Sequence, residues 1–211
     1  KYKTPIKTTA NANEEINNFT NALPVAIEKI EILKRKLAIN LPKDELEIFE
    51  SYSDMVNDPE VIEKTISLID NYNCNADFAY YEISKEFIET LEQIDDPYLK
   101  QRAEDLKMIS KMIIEILQGN KYNSQDLSSP SIVVAEKINT AQLAELNQEY
   151  LLGLITSKGG ITDHTSIIAK ALGIPYLLEV KEAHQKIKTN DLLVIDSKNN
   201  CVHHNLNKKD I

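Results

Sequence analysis

The stretch Ser157–Pro175 reads SKGGITDHTSIIAKALGIP and holds three of the chain's five glycines and one of its four histidines. The pair Gly159-Gly160 comes first, then small polar residues, then His164. An apolar pattern of helical spacing follows, with Ile167, Ile168, Ala171 and Leu172 on one face. Thr162 or Asp163 is placed to cap this helix, its side chain accepting a backbone N–H. Gly173 fits the left-handed position at the far end, and Pro175 forbids continuation. His164 therefore falls in the first turn of a helix, behind a glycine pair. The unpaired N–H groups of a helix start face whatever lies there, and the dipole favours negative charge. Glycines without Cβ let backbone amides come close to an anion. A neutral imidazole at such a place keeps a lone pair free to attack. A hydroxyl or carbonyl that takes the other ring N–H would fix its tautomer. The arrangement suits a histidine that takes and gives a phosphoryl group. A capping histidine on an ordinary strand–turn–helix uses the same residues.

Two textures surround this stretch. From about Asn11 to Gly119 the interior holds no glycine, and apolar residues recur at helical spacing, as in Ile30, Leu33, Leu37 and Ile48, Tyr52, Met55. Breaks fall at Leu41-Pro42, Asn57-Asp58-Pro59, Asn73 to Asn75 and Asp95-Asp96-Pro97. Asn or Asp before Pro stops one helix and starts the next. The pattern predicts helices over about 11–40, 43–56, 59–71, 76–93 and 97–118, a bundle with short connections. After the polar segment 119–130 the texture changes to short apolar runs of strand character: SIVVAE, LLGLIT, PYLLEV, DLLVID and CVHH. Helical stretches at 140–149 and 164–172 separate some of them, which implies an α/β unit.

Composition narrows the function classes. The chain has 211 residues, 42% of them hydrophobic, enough for one or two domains with buried cores. A net charge of −9 with no basic patch argues against nucleic-acid binding and suits a basic protein partner. Cys74 and Cys201 lie far apart in unlike contexts, so neither a disulfide framework nor a zinc site is expected and a reducing cytoplasm is the default. No apolar run is long enough to span a membrane, and no signal peptide is read. The first residue is Lys1 rather than Met, so the chain is expected to be a fragment.

The segment GGITDHTSIIAKALGIP resembles the phosphohistidine motif of enzyme I of the bacterial phosphoenolpyruvate-dependent sugar phosphotransferase system. The motif maps onto Gly159, Gly160, Thr162, Asp163, His164, Thr165, Ser166, Ile167, Ala169 and Lys170. IFESYSDMVNDPEVIE, LEQIDDPYLKQRAEDLKMISKMI, ELNQEYLLGLITSKGG and NDLLVIDSKNNCVHHN also fit that family's pattern, in order, over nearly all of residues 11–206. The resemblance implies an α/β plus all-α fold: a swivelling phosphohistidine α/β domain with an inserted helical bundle. The boundaries would be 1–10 for a remnant of the α/β domain or a linker, 11–120 for the bundle, and 121–211 for the swivelling domain.

The same resemblance implies a phosphotransferase in which His164 is the nucleophile. Gly159, Gly160, Thr162, Thr165, Ser166 and Lys170 would hold the phosphoryl group or assist. It implies that the bundle docks the carrier protein HPr through Phe49, Tyr52, Met55, Tyr98, Leu99, Arg102 and Asp105, with Asp105 turned toward the phosphohistidine cleft. No cofactor or metal site is expected in this chain. Magnesium and phosphoenolpyruvate would belong to a carboxy-terminal barrel, through which the full-length enzyme would dimerise. Neither nucleic-acid binding nor membrane insertion is implied, and the location would be cytoplasmic.

The sequence departs from the family pattern at several points. Asp163 replaces a Ser, Lys170 an Arg, Glu179 a Gly, and Tyr52 a His. Thr140 is the best candidate for a threonine that orients the active histidine. Two other readings stand beside this one. The central domain of pyruvate phosphate dikinase or phosphoenolpyruvate synthase shares the swivelling domain, but usually has Ala after the histidine where this chain has Thr165. A non-catalytic HPr-binding module is motivated by Asp163 and Glu179. His203 and His204 adjoin the last strand run and point to opposite faces, so they are not expected to bind a metal together. His184 is expected to be solvated, and Cys74 to sit in a turn.

Overall fold

The computed structural model describes residues 11–119 and 127–206. The segment 1–10, read above as a remnant or linker, lies outside the described residues. Five helices come first: α1 (Ala12–Leu37), α2 (Lys43–Val56), α3 (Pro59–Tyr72), α4 (Ala76–Gln93) and α5 (Pro97–Leu117). Their starts follow from the Asp-Pro signals. Asp58 accepts from the N–H groups of Glu60 (2.9 Å) and Val61 (3.1 Å), and Pro59 takes the first helical position. Asp96 does the same for Tyr98 (2.8 Å) and Leu99 (3.0 Å), ahead of Pro97. Each carboxylate satisfies N–H groups that the helix leaves unpaired, and each proline sits where no N–H is needed. Glu15 on α1 accepts from the Ala76 N–H at 2.8 Å, which closes the start of α4.

The bundle core is built from stripes on these helices. Phe19 and Tyr80 pack with ring centroids 5.6 Å apart, and Phe49 meets Tyr52 edge-on at 5.7 Å. Ile30, Ile69, Ile109 and Ile113 fill the space around them. Burial pushes the Tyr80 phenol far above its ordinary pKa, the nearby Ser110 hydroxyl opposing the shift and the Asp58 charge adding to it. Cys74 lies in the short link between α3 and α4, as expected, but its side chain is buried.

The second half runs β1 (Ser131–Ala135), α6 (Thr140–Glu145), β2 (Leu151–Thr156), α7 (His164–Ala171), β3 (Tyr176–Leu177), α8 (Ala183–Lys186), β4 (Val194–Asp196) and β5 (Cys201–His203). Strands β1, β2 and β3 form a parallel sheet in that order, and β4 pairs antiparallel with β5. Leu154 and Ile155 are neighbours on β2, so they point to opposite faces, yet both are fully buried. The parallel sheet is therefore covered on both sides. Ile155, Leu177 and Ala183 form one core cluster, packed by Val134, Val180, Ile187, Ile195 and Val202.

Three elements are shorter than the pattern predicts. The helix expected to reach residue 149 ends at Glu145, because Leu146 is extended and Asn147 turns the chain by accepting from the Glu149 N–H at 3.0 Å. The strand PYLLEV keeps only Tyr176–Leu177, because Glu179 takes φ +56°. The run DLLVID pairs only over Val194–Asp196.

The chain divides into two compact units. One holds α1–α5 apart from Arg35–Leu46, and the other holds Arg35–Leu46 with the elements from β1 onward. No helix among the described residues is long and apolar enough to cross a membrane.

Candidate active site

The strand β2 ends at Thr156, and the turn Ser157–Asp163 carries the chain into α7. Gly159 takes φ +132°, a conformation closed to side chains, and a Cβ there would lie 3.3 Å from Leu178 Cδ2. Gly159 therefore lets the turn form. His164 is the first residue of α7 and is half-buried. The far end of α7 closes as the sequence indicates. Gly173 takes φ +71°, its N–H donates to the Lys170 carbonyl (3.0 Å), and the Ile174 N–H donates to Ala169 (2.9 Å).

The start of α7 differs from expectation at Asp163. This residue occupies the N-cap position, but its side chain bonds no helical N–H. It turns back instead, and Oδ2 accepts from the Gly160 N–H at 2.8 Å. The Asp163 carbonyl accepts from Ser166 (2.8 Å) and Ile167 (3.1 Å), and Ser166 Oγ donates to the Gly160 carbonyl at 2.7 Å. The turn thus closes on itself. Gly160 leaves room for this bond, since a Cβ there would lie 3.1 Å from Asp163 Oδ1. One amide assigned to a phosphoryl oxygen is consequently held by an acidic side chain.

Thr165 is buried, and its Oγ1 lies 3.4 Å from Thr140 Oγ1, which joins the start of α6 to the start of α7. Thr162 is exposed. Lys170 is exposed on the last turn of α7 and lines a cleft of about 550 Å³ together with Ile161, Ser166, Tyr176 and Leu178. Ile161, at the tip of the turn, is 81% exposed.

Three features of this region escaped the sequence. Tyr176 OH lies 3.1 Å from Thr156 Oγ1, beneath the glycine turn. Burial pushes the Tyr176 phenol above its usual value, with Thr156 opposing and the Asp163 charge adding. Ser157 Oγ lies 2.7 Å from Nδ1 of His184, which is half-buried and bonded rather than solvated. These contacts cross from the turn to segments some twenty residues downstream. Strand alternation around Tyr176 was the one available signal.

The expected docking residues separate into two groups. Tyr98 is 62% exposed and stacks with Arg102, whose guanidinium carbon lies 5.1 Å from the ring centroid. Arg102 donates to Tyr98 OH (2.8 and 3.0 Å) and to Ser51 Oγ (2.8 Å). Leu99 and Met55 are half-buried. Phe49, Tyr52 and Asp105 are core residues, exposed by 0%, 1% and 5%. Tyr52 OH donates to Asp105 Oδ1 at 3.4 Å and Gln101 Nε2 donates to the same atom at 3.5 Å, so these buried groups are not exposed for docking. Phe49, Tyr52 and Val56 share the inner stripe of α2, and residue type alone does not tell such a stripe from a docking face.

Similarity to known proteins agrees with this architecture. The family description PEP-utilising enzyme, N-terminal, matches residues 2–102, and PEP-utilising enzyme, mobile domain, matches 127–200. A solution structure of an enzyme I protein (nEIt) superposes with a TM-score of 0.79 at 32% identity, covering 99% of this chain and 86% of that one. The chain belongs to the enzyme I family of phosphoenolpyruvate-protein phosphotransferases. The family's protein from Mycoplasma capricolum is 29% identical over 203 residues, and that from Buchnera aphidicola 32% over 191. These alignments cover 96% and 90% of the chain but 35% and 33% of the relatives, so the chain spans about a third of the length of these enzyme I proteins. The N-terminal domain of Enzyme 1 - Nitrogen has the same fold, with a TM-score of 0.65 at 22% identity.

Proposed function

We propose that this chain is the phosphoryl-transfer part of an enzyme I, in which His164 takes a phosphate that originates from phosphoenolpyruvate and passes it to a histidine of HPr. The observation that carries the reading is the place of His164. It is the first residue of α7, directly behind a turn that needs glycine, within the segment similar to a mobile domain. Histidine-to-histidine transfer asks for in-line positioning and compensation of oxyanion charge more than for covalent machinery. The positive end of the α7 dipole and the exposed Thr162 hydroxyl are suited to the phosphoryl oxygens. Thr165, held by Thr140, fixes the first turn and with it the His164 backbone. Lys170 lies at the other end of α7, so its part is to add positive charge along the cleft, not to clamp the phosphate.

The docking role falls to Tyr98, Arg102, Leu99 and Met55 on α5 and α2. The stacked Tyr98–Arg102 pair offers an aromatic face with a fixed cation, on a bundle whose acidity suits a basic partner. In the swivelling arrangement that the family resemblance implies, the α/β unit would carry phospho-His164 between this partner and a phosphoenolpyruvate-binding domain. Magnesium is expected to serve that further domain. Among the described residues, the cluster spaced to hold a metal ion is Asp196, Cys201 and His203, whose sulfur and nitrogen donors do not fit a cation that prefers six oxygens.

The bond between Asp163 and the Gly160 N–H favours one competing reading, a binding module that docks HPr without transfer. The test is mass spectrometry after incubation with phospho-HPr. The expected result is one acid-labile, base-stable phosphate on His164. A His164→Ala protein that still gains such a phosphate overturns the assignment.

A further inference from the structure

We propose that Asp196, Cys201 and His203 form a zinc site on the outward face of the β4–β5 hairpin. The ligand atoms of the three residues all lie within 4.8 Å of one another. The hairpin register produces this grouping. Asp196 pairs directly with Cys201, and His203 follows two residues along β5, so all three side chains leave the same face. The alternate residues, Ile195 and Val202, pack into the core, which fixes which face points outward.

The sulfur–nitrogen distance suits the ion, and the carboxylate lies close enough to swing in as the third donor. Cys201 Sγ and His203 Nε2 are 3.5 Å apart. In a tetrahedral zinc site with Zn–S of about 2.3 Å and Zn–N of about 2.0–2.1 Å, sulfur and nitrogen stand about 3.5–3.6 Å apart. The two donors are therefore already at the edge length of the polyhedron they would form. Asp196 supplies the oxygen. Its Oδ1 accepts from the N–H groups of Lys198 and Asn199 at 3.0 Å each, and its Oδ2 from Asn199 Nδ2 at 2.7 Å. Such hydrogen bonds orient a ligating carboxylate without exhausting its lone pairs. Thiolate, imidazole and carboxylate together select zinc over the hard oxygen-seeking cations. Binding would release the Cys201 thiol proton to solvent and leave the fourth position to water.

The probe is cobalt(II) titrated into the full chain, followed by zinc. The expected signal is a sulfur-to-cobalt charge-transfer band with tetrahedral d–d absorption, both removed by zinc. Cys201→Ser should abolish the band. His203→Ala and Asp196→Asn should each weaken cobalt binding at least tenfold. Circular dichroism of each variant confirms that the fold is kept, and Cys74→Ser should leave the spectrum unchanged. No band at saturating cobalt, a band that survives Cys201→Ser, or unaltered affinity in His203→Ala overturns the site.

Discussion

Asp163 stands next to the proposed phosphorylated residue, with its carboxylate bonded to Gly160. A carboxylate raises the energy of a phosphoryl dianion by about 2 kcal/mol at 4 Å in water, about 1 kcal/mol for each of its two charges, and by more as the local dielectric falls. Each kcal/mol of repulsion removed lengthens the lifetime about fivefold when that repulsion is relieved on hydrolysis. Asp163→Ser should therefore give a longer-lived phosphohistidine, measured as the decay of acid-labile phosphate. Equal lifetimes in the two proteins would show that the carboxylate serves the turn and not the phosphoryl group. Glu179 offers a separate test of the backbone. It takes φ +56°, which costs a residue with a Cβ roughly 1–2 kcal/mol. Glycine takes the same φ without that strain but loses more entropy on folding. Glu179→Gly should stabilise the chain by about 1 kcal/mol in thermal denaturation. That a glycine is usual at this place in the enzyme I pattern has the same physical root.

At the scale of elements, the bundle was legible because its punctuation is chemical. Asp58-Pro59 and Asp96-Pro97 carry both a cap and a helix start, and the helices begin there. The α/β half was legible in type but not in extent. Strand β3 ends early where Glu179 turns left-handed and β4 starts late, at Val194, where its pairing with β5 begins, and neither event leaves a periodic trace. Helix α7 and its glycine close were readable, whereas the direction of the Asp163 side chain was not, because two acceptable donors lay within its reach. The stripe of α2 was misread for a related reason: Phe49 and Tyr52 look alike whether they face a core or a partner. Tyr80, in the core between α4 and its neighbours, gives this packing a pH signature. Burial raises its folded pKa, while the unfolded phenol titrates near 10. Above about pH 10 the unfolded chain therefore holds fewer protons, and stability falls as pH rises, by up to about 1.4 kcal/mol per pH unit for this residue. Below that range the contribution is fully present. Denaturant unfolding at alkaline pH should show a shallower loss in Tyr80→Phe than in the unaltered chain. Identical slopes would mean that the phenol is not buried in solution.

For the whole molecule, the claim is that a helical unit and an α/β unit together suffice for exchange with HPr. The enzyme I proteins similar to this chain are about three times its length, and the proposed reading gives phosphoenolpyruvate chemistry to a domain beyond the two described here. The glycine turn carries Lys158, which pairs with Glu136 at 2.6 Å, and α7 adds Lys170 in its last turn. Each donor should therefore act differently on the 211-residue chain. The decisive measurement offers phospho-HPr and phosphoenolpyruvate with magnesium separately, and maps the acid-labile phosphate by mass spectrometry. The account predicts labelling of His164 by phospho-HPr, reversible on adding unphosphorylated HPr, and none from phosphoenolpyruvate alone. Labelling by neither donor, or on a residue other than His164, would contradict it.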